Sequence, residues 1–116
     1  MNQLKVLFVC ALNKWRSPTA EALYKNDPRL EVRSAGVRSA AKRRLTAEDL
    51  EWTDVVFAME QEHKAFILEE FRGLDLPPII VLDISDDFGY MDTRLQEVMR
   101  ASIDPELEVL ISKEES

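Results

Sequence analysis

Several residue types that announce particular architectures are scarce in this chain. It has one cysteine and one histidine in 116 residues. A single cysteine excludes an internal disulfide and suits a reducing cytoplasm. Together with a single histidine it leaves no conventional zinc ligand set, so no metal is expected. Three glycines and five prolines are too few for a low-complexity or collagen-like chain. No apolar run approaches the roughly 20 residues of a membrane span, and the sequence enters strand-like residues without a leader pattern, so no membrane association is expected. Basic residues are the minority, 15 against 22 acidic ones for a net charge of −7, which argues against broad nucleic-acid binding.

The remaining composition, 46% hydrophobic and 32% charged, suffices for one domain over 1–116 with a modest core. The charge is unevenly spread. Residues 1–44 hold ten Lys/Arg against three Asp/Glu, and residues 45–116 hold five against nineteen. A basic first third raises the local concentration of anions around any anion site it contains.

Such a site is legible in residues 6–21. Leu4 to Val9 has the apolar and β-branched content of a strand buried inside a parallel sheet. Ser17 suits a helix N-cap and Pro18 the first helical position, with helix from Thr19 to Lys25. A strand, a tight loop and a helix start form an anion cradle, because the first amides of a helix lack internal partners and the dipole adds positive potential. Loop amides aimed inward would add a nest. Ala11, Leu12, Asn13, Lys14, Trp15, Arg16 and Ser17 are the candidate phosphate-binding residues. The Arg16 guanidinium can grip two oxygens of one phosphate. Asn13 suits a left-handed turn of the loop. Cys10, at the strand end, is either a buried core cysteine or a nucleophile, since the field that attracts phosphate also favours a thiolate.

Cys10-Ala11-Leu12-Asn13-Lys14-Trp15-Arg16-Ser17-Pro18-Thr19-Ala20-Glu21 resembles the phosphate loop of the low-molecular-weight protein tyrosine phosphatases, and most closely a short bacterial branch of them. The resemblance extends through most of the chain. It implies a three-layer αβα sandwich with a four-stranded parallel sheet, and a cysteine-dependent phosphomonoesterase without cofactor. Its substrate would be a phosphorylated protein, with tyrosine as the expected phospho-residue, or a small phosphate monoester, and its product inorganic phosphate.

Leu30 to Val37 reads as a second strand, and its Ser34-Ala35-Gly36 end matches the family strand beside the phosphate loop. The match makes Ser34 a candidate to hydrogen-bond that loop; otherwise it is a strand serine satisfied by backbone. Arg38 to Arg44 is a basic connector, either a solubilising loop or a guide for an anionic substrate. It replaces a longer insert that walls the substrate pocket in typical family members. Thr46 and Asp49 form a capping-box pair. Asp54 to Met59 reads as a third strand and Glu60 to Phe71 as a helix, with His63 an ordinary surface or capping histidine. Pro77-Pro78 introduces a fourth strand, Ile79 to Ile84, and a last helix runs from about Asp92 to Ser102 and, past a break near Asp104-Pro105, continues to about Ser112.

Thiolate attack on a phosphate ester needs a group that protonates the leaving oxygen. Ile84-Ser85-Asp86-Asp87-Phe88 resembles the family's acid loop, with Asp87 in the place of a proline. The match assigns Asp86 as general acid, Asp87 as its alternate, and Phe88 as the ring that stacks on substrate. Leu12 stands where the family usually has glycine, and Trp15 where a second cysteine often sits. Alternatives are a phosphate- or phosphoprotein-binding module without turnover, or an arsenate reductase using an external thiol.

Overall fold

The computed structural model describes residues 3–115. The elements run β1 (Leu4–Cys10), α1 (Arg16–Tyr24), β2 (Leu30–Gly36), α2 (Ala47–Trp52), β3 (Val55–Ala58), α3 (Gln61–Glu70), β4 (Ile79–Val81) and α4 (Thr93–Glu115). The four strands make one parallel sheet in the order β2-β1-β3-β4. β1 is central, pairing Leu4 with Leu30 through Cys10 with Gly36 on one edge, and Val6 with Val55 through Val9 with Ala58 on the other. A strand paired on both edges and covered on both faces must be apolar throughout, which is why β1 does not alternate.

Alternate residues of β1 feed two cores. Val6 and Phe8 pack with Tyr24 of α1 and with Leu95, Met99, Ile103 and Leu107 of α4. Leu7 and Val9 pack with Leu50 of α2 and Ile67 of α3. The expected αβα sandwich is therefore the observed one. All strand C-termini point the same way, so the loops after β1, β2, β3 and β4 gather at one end of the sheet.

Three boundaries differ from expectation. α1 starts at Arg16, so Ser17 lies inside its first turn and Trp15 holds the cap position without a side-chain cap bond. The tight curve of the loop carries Arg16 and Ser17 into helical geometry, turning both side chains to the loop interior. Pro18 still sits in the first turn, where a missing N–H costs nothing. β4 ends at Val81 rather than Ile84, because Asp83 turns left-handed at φ 58°. Leu82 and Ile84 nevertheless donate their amides to Ala58 and Met59 across the gap. α4 is continuous through Pro105. The carbonyl that loses its partner belongs to exposed Ala101, where water can serve it, while buried Ile103 and Leu107 anchor the helix on either side. Thr46 and Asp49 form the reciprocal capping box as read, with bonds of 3.2 and 3.1 Å. Among the described residues no helix is long and apolar enough to cross a membrane.

Two substitutions test the continuity of α4 in urea unfolding. Ile103→Ala should lower stability by about 2–5 kcal/mol. Pro105→Ala should raise it by about 1–3 kcal/mol, because proline is a poor residue for an exposed helix interior. A loss of stability in Pro105→Ala would show that the helix does break there.

Candidate active site

The loop between β1 and α1 owes its shape to bonds on its outer side. The carbonyls of Cys10, Ala11 and Leu12 accept from the amides of Val37, Arg38 and Lys42, each at 3.0 Å. The short connector after β2 thus lies along the loop. Carbonyls turned outward leave the loop's N–H groups for its inner side. Asn13 reverses the chain at φ 56°, the left-handed conformation anticipated for it. Leu12 has no positive φ, so a side chain is tolerated where the family has glycine, without backbone strain. Gly36 closes the arrangement from outside. A Cβ there would lie 2.6 Å from Ala41 Cβ, 2.8 Å from Ala11 O and 2.9 Å from Asn13 N, so this position admits no side chain.

Cys10 is buried, and its sulfur is held from two sides. The Asn13 amide donates to Sγ at 3.2 Å, and Ser17 Oγ lies 3.0 Å away. Either atom can donate in the second bond, and the network behind it leaves the Ser17 proton free to do so. Glu21 accepts from the Ser34 hydroxyl. Ser34 and Ser17 then accept the two Asn13 Nδ2 protons, at 3.0 and 2.9 Å. Ser17 keeps its own proton to give, to Cys10 Sγ at 3.0 Å or to Ala35 O at 3.3 Å. The Asn13 amide thus donates to the sulfur, and Ser17 adds a second donor when its proton turns there rather than to Ala35 O. Ser34 therefore does bond the loop, and Ser17 touches sulfur rather than capping the helix. Glu21 was missed from sequence; its place four residues after Ser17, on the same helix face, was the available signal.

Arg16 is only 2% exposed. Its Nη1 donates to Glu60 and to Ile84 O, the latter at 2.9 Å. These bonds fix the guanidinium and leave Nε buried without a hydrogen bond. Asp86 Oδ1 stands 3.5 Å from Nε. Cys10, Ala11, Leu12, Lys14, Trp15, Arg16 and Asp86 line a single pocket. Asp87 is not in that lining; it accepts from Ser85 Oγ at 2.7 Å. Phe88 is also outside it. Its ring packs on the core and carries the Arg94 guanidinium 5.5 Å from its centre.

His63 is not the surface residue that one reading expected. It is buried, and its Nδ1 accepts the Glu60 amide at 3.1 Å, so the capping reading is the one observed. Burial pushes the imidazole below the usual histidine range and the Arg16 charge adds to this, against the opposing pull of Glu60 and Glu62. Protonating Nδ1 would also forfeit the cap.

The comparisons with known proteins agree with this geometry. The chain is 33% identical to a protein-arginine-phosphatase of Geobacillus stearothermophilus, over 94% of this chain and 92% of the relative. The chain belongs to the low-molecular-weight protein tyrosine phosphatase family. It is a cysteine-dependent phosphatase. One solved relative is a cysteine-to-serine mutant of the YwlE arginine phosphatase with a phosphorylated active-site serine. It is 26% identical with a TM-score of 0.68, over 90% of this chain and 96% of that one. The fold is also that of a low-molecular-weight protein tyrosine phosphatase from Streptococcus pyogenes, with a TM-score of 0.78 at 20% identity, over 97% of this chain and 96% of that one. No protein-family model matches the chain.

Two outcomes follow for this phosphatase. Gly36→Ala should cost about 1–3 kcal/mol by overpacking, read as a lower unfolding midpoint, and should reduce phosphate binding as the loop shifts. His63 resists protonation when folded, whereas the unfolded chain takes up that proton near pH 6.5. Its contribution is therefore complete above about pH 6.5 and is lost as the pH falls through the lower folded value. Unfolding midpoints between pH 7.5 and 5 should show this slope in the wild type and a flatter one in His63→Gln.

Proposed function

We propose that residues 1–116 act as one phosphatase domain on phosphorylated proteins, with Cys10 as nucleophile, Arg16 and the loop amides of residues 11–17 as the phosphate cradle, and Asp86 as general acid. The observation that carries this reading is the buried Arg16 Nε, unbonded in the same pocket as the Cys10 sulfur and the Asp86 carboxyl. A bound phosphate oxygen would satisfy that donor.

The reaction has two displacements. In the first, Cys10 thiolate attacks phosphorus in line, the S–P bond forms, and the bond to the leaving atom breaks. Inward amides and Arg16 hold the equatorial oxygens as charge shifts onto them. Asp86 gives its proton to the leaving atom and becomes a carboxylate. In the second, that carboxylate takes a proton from water, water oxygen attacks phosphorus, and the S–P bond breaks. Inorganic phosphate leaves and Cys10 is again a thiolate. Positive charge comes from Arg16 and the peptide dipoles, so the steps invoke no metal or organic cofactor. A nucleophilic thiol suits the reducing cytoplasm.

Phosphoarginine is the favoured phospho-residue. The Geobacillus relative is named for it. A guanidine leaving group also depends strongly on proton donation, and the cation it becomes would meet the Asp86 carboxylate at the pocket mouth. Phosphotyrosine is the second reading, favoured by the exposed indole of Trp15 in the pocket wall.

Turnover of p-nitrophenyl phosphate and of a phosphoarginine peptide tests the proposal, without added metal. Cys10→Ser should abolish turnover of both while vanadate still binds. Asp86→Ala should lower phosphoarginine turnover by about 10²–10⁴-fold, and Asp87→Ala should change it little. Turnover surviving Cys10→Ser would defeat the nucleophile. Wild-type protein that binds vanadate but turns over neither substrate would favour the binding module.

A further inference from the structure

A second pocket, about 560 Å³, opens beside the catalytic loop between the connector after β2 and the start of α3. Val37, Ala40 and Phe66 give it an apolar floor, and Arg38, Ser39, Arg44, Glu62 and His63 line the rest. Its size is that of a site for a small organic group or a side chain rather than for an ion alone.

Of the basic connector, Arg43 is engaged: it donates to Ser34 O at 2.8 Å and pairs with buried Asp49. Arg38 and Arg44 are not. Both side chains are exposed, and among the described residues neither guanidinium has a hydrogen bond or an ion pair. Two unneutralised guanidinia on one rim repel each other and attract an acceptor-rich anion. The pocket wall supplies a further donor. His63 Nδ1 accepts the Glu60 amide, so the neutral ring carries its proton on Nε2. That atom is buried without a hydrogen-bond partner. Glu62 Oε1 is 3.8 Å from it, too far for a hydrogen bond, and belongs to a side chain 64% exposed that can swing away. A buried donor left unmade is costly, and a ligand acceptor would relieve it.

The pocket is also joined to the first. Arg38 N bonds Ala11 O of the catalytic loop at 3.0 Å. His63 caps the helix whose N-terminal Glu60 holds Arg16. A polypeptide with its phospho-residue over Cys10 would pass its neighbouring residues across this rim.

We propose that this pocket binds a carboxylate side chain of the substrate polypeptide close to the phosphorylated residue, through Arg38 and Arg44, with His63 Nε2 as the inner donor. The protein therefore selects phosphorylated sites in acidic sequence. This rests on the phosphatase reading above, and the test separates the two.

Three phosphopeptides are compared at low ionic strength, identical except for glutamates, alanines or lysines beside the phospho-residue. Wild-type protein should prefer the acidic peptide over the neutral one by about tenfold in kcat/KM, mostly through KM. The lysine peptide should be the poorest. In Arg38→Ala/Arg44→Ala the acidic-to-neutral ratio should fall toward one, whatever the absolute activity. In Glu62→Gln, which removes the opposing charge, the ratio should rise. Raising the salt should shrink the wild-type preference. A wild-type ratio of one, or a ratio unchanged in the double variant, would overturn the subsite while leaving the phosphatase intact. Absence of p-nitrophenyl phosphate turnover in the wild type would instead count against the phosphatase.

Discussion

The structure depends on how Arg16 is held. A guanidinium this deeply buried must be partnered, or its desolvation would exceed what the fold can supply. Glu60, two residues past β3 at the cap of α3, and the Ile84 carbonyl, three residues past β4, provide those partners. The arginine therefore ties three chain segments together at the C-terminal end of the sheet, and its anchoring leaves Nε for something else. Structural and binding roles are divided among the nitrogens of one side chain. The same bonds carry the acid loop over the site, since Ile84 stands two residues before Asp86.

The second constraint is the polarity of the hydrogen-bond relay behind the sulfur. A carboxylate can only accept, so Glu21 orients Ser34, which leaves Asn13 to donate to both serines and Ser17 to donate onward. The relay spans β1, α1 and β2, and it works only because Asn13 adopts a backbone conformation that most residues resist. The tight approach of Gly36 belongs to the same device: β2 must come this close for Ser34 to reach Asn13. A loop that looks like a surface feature is thus as rigidly determined as the core beneath it.

Much of this was readable from residues. β1 was legible because a strand buried on both faces is apolar throughout, and the capping box of α2 because its two partners are local. Asn13 was legible because so few residues suit its turn. The start of α1 was misjudged because Ser-Pro is a strong local capping signal, and the tertiary demand for Ser17 at the sulfur overrode it. Pro105 misled in the same way, since local proline chemistry argues for a break and packing of Ile103 and Leu107 holds the helix together. Glu21 and Glu60 were invisible because their partners, Ser34 and Arg16, lie far away in sequence, whereas the His63 cap, whose partner is three residues off, could be read. The second pocket was equally hidden: the connector announced its charge, but only the fold shows that Arg43 is neutralised while Arg38 and Arg44 are left over.

The direct measurement is the site of covalent phosphate during turnover. Enzyme quenched while hydrolysing substrate should carry phosphate on the Cys10 peptide by mass spectrometry, and the adduct should disappear once the substrate is exhausted. Phosphate found instead on another side chain, or steady turnover with Cys10 never modified, would contradict the account.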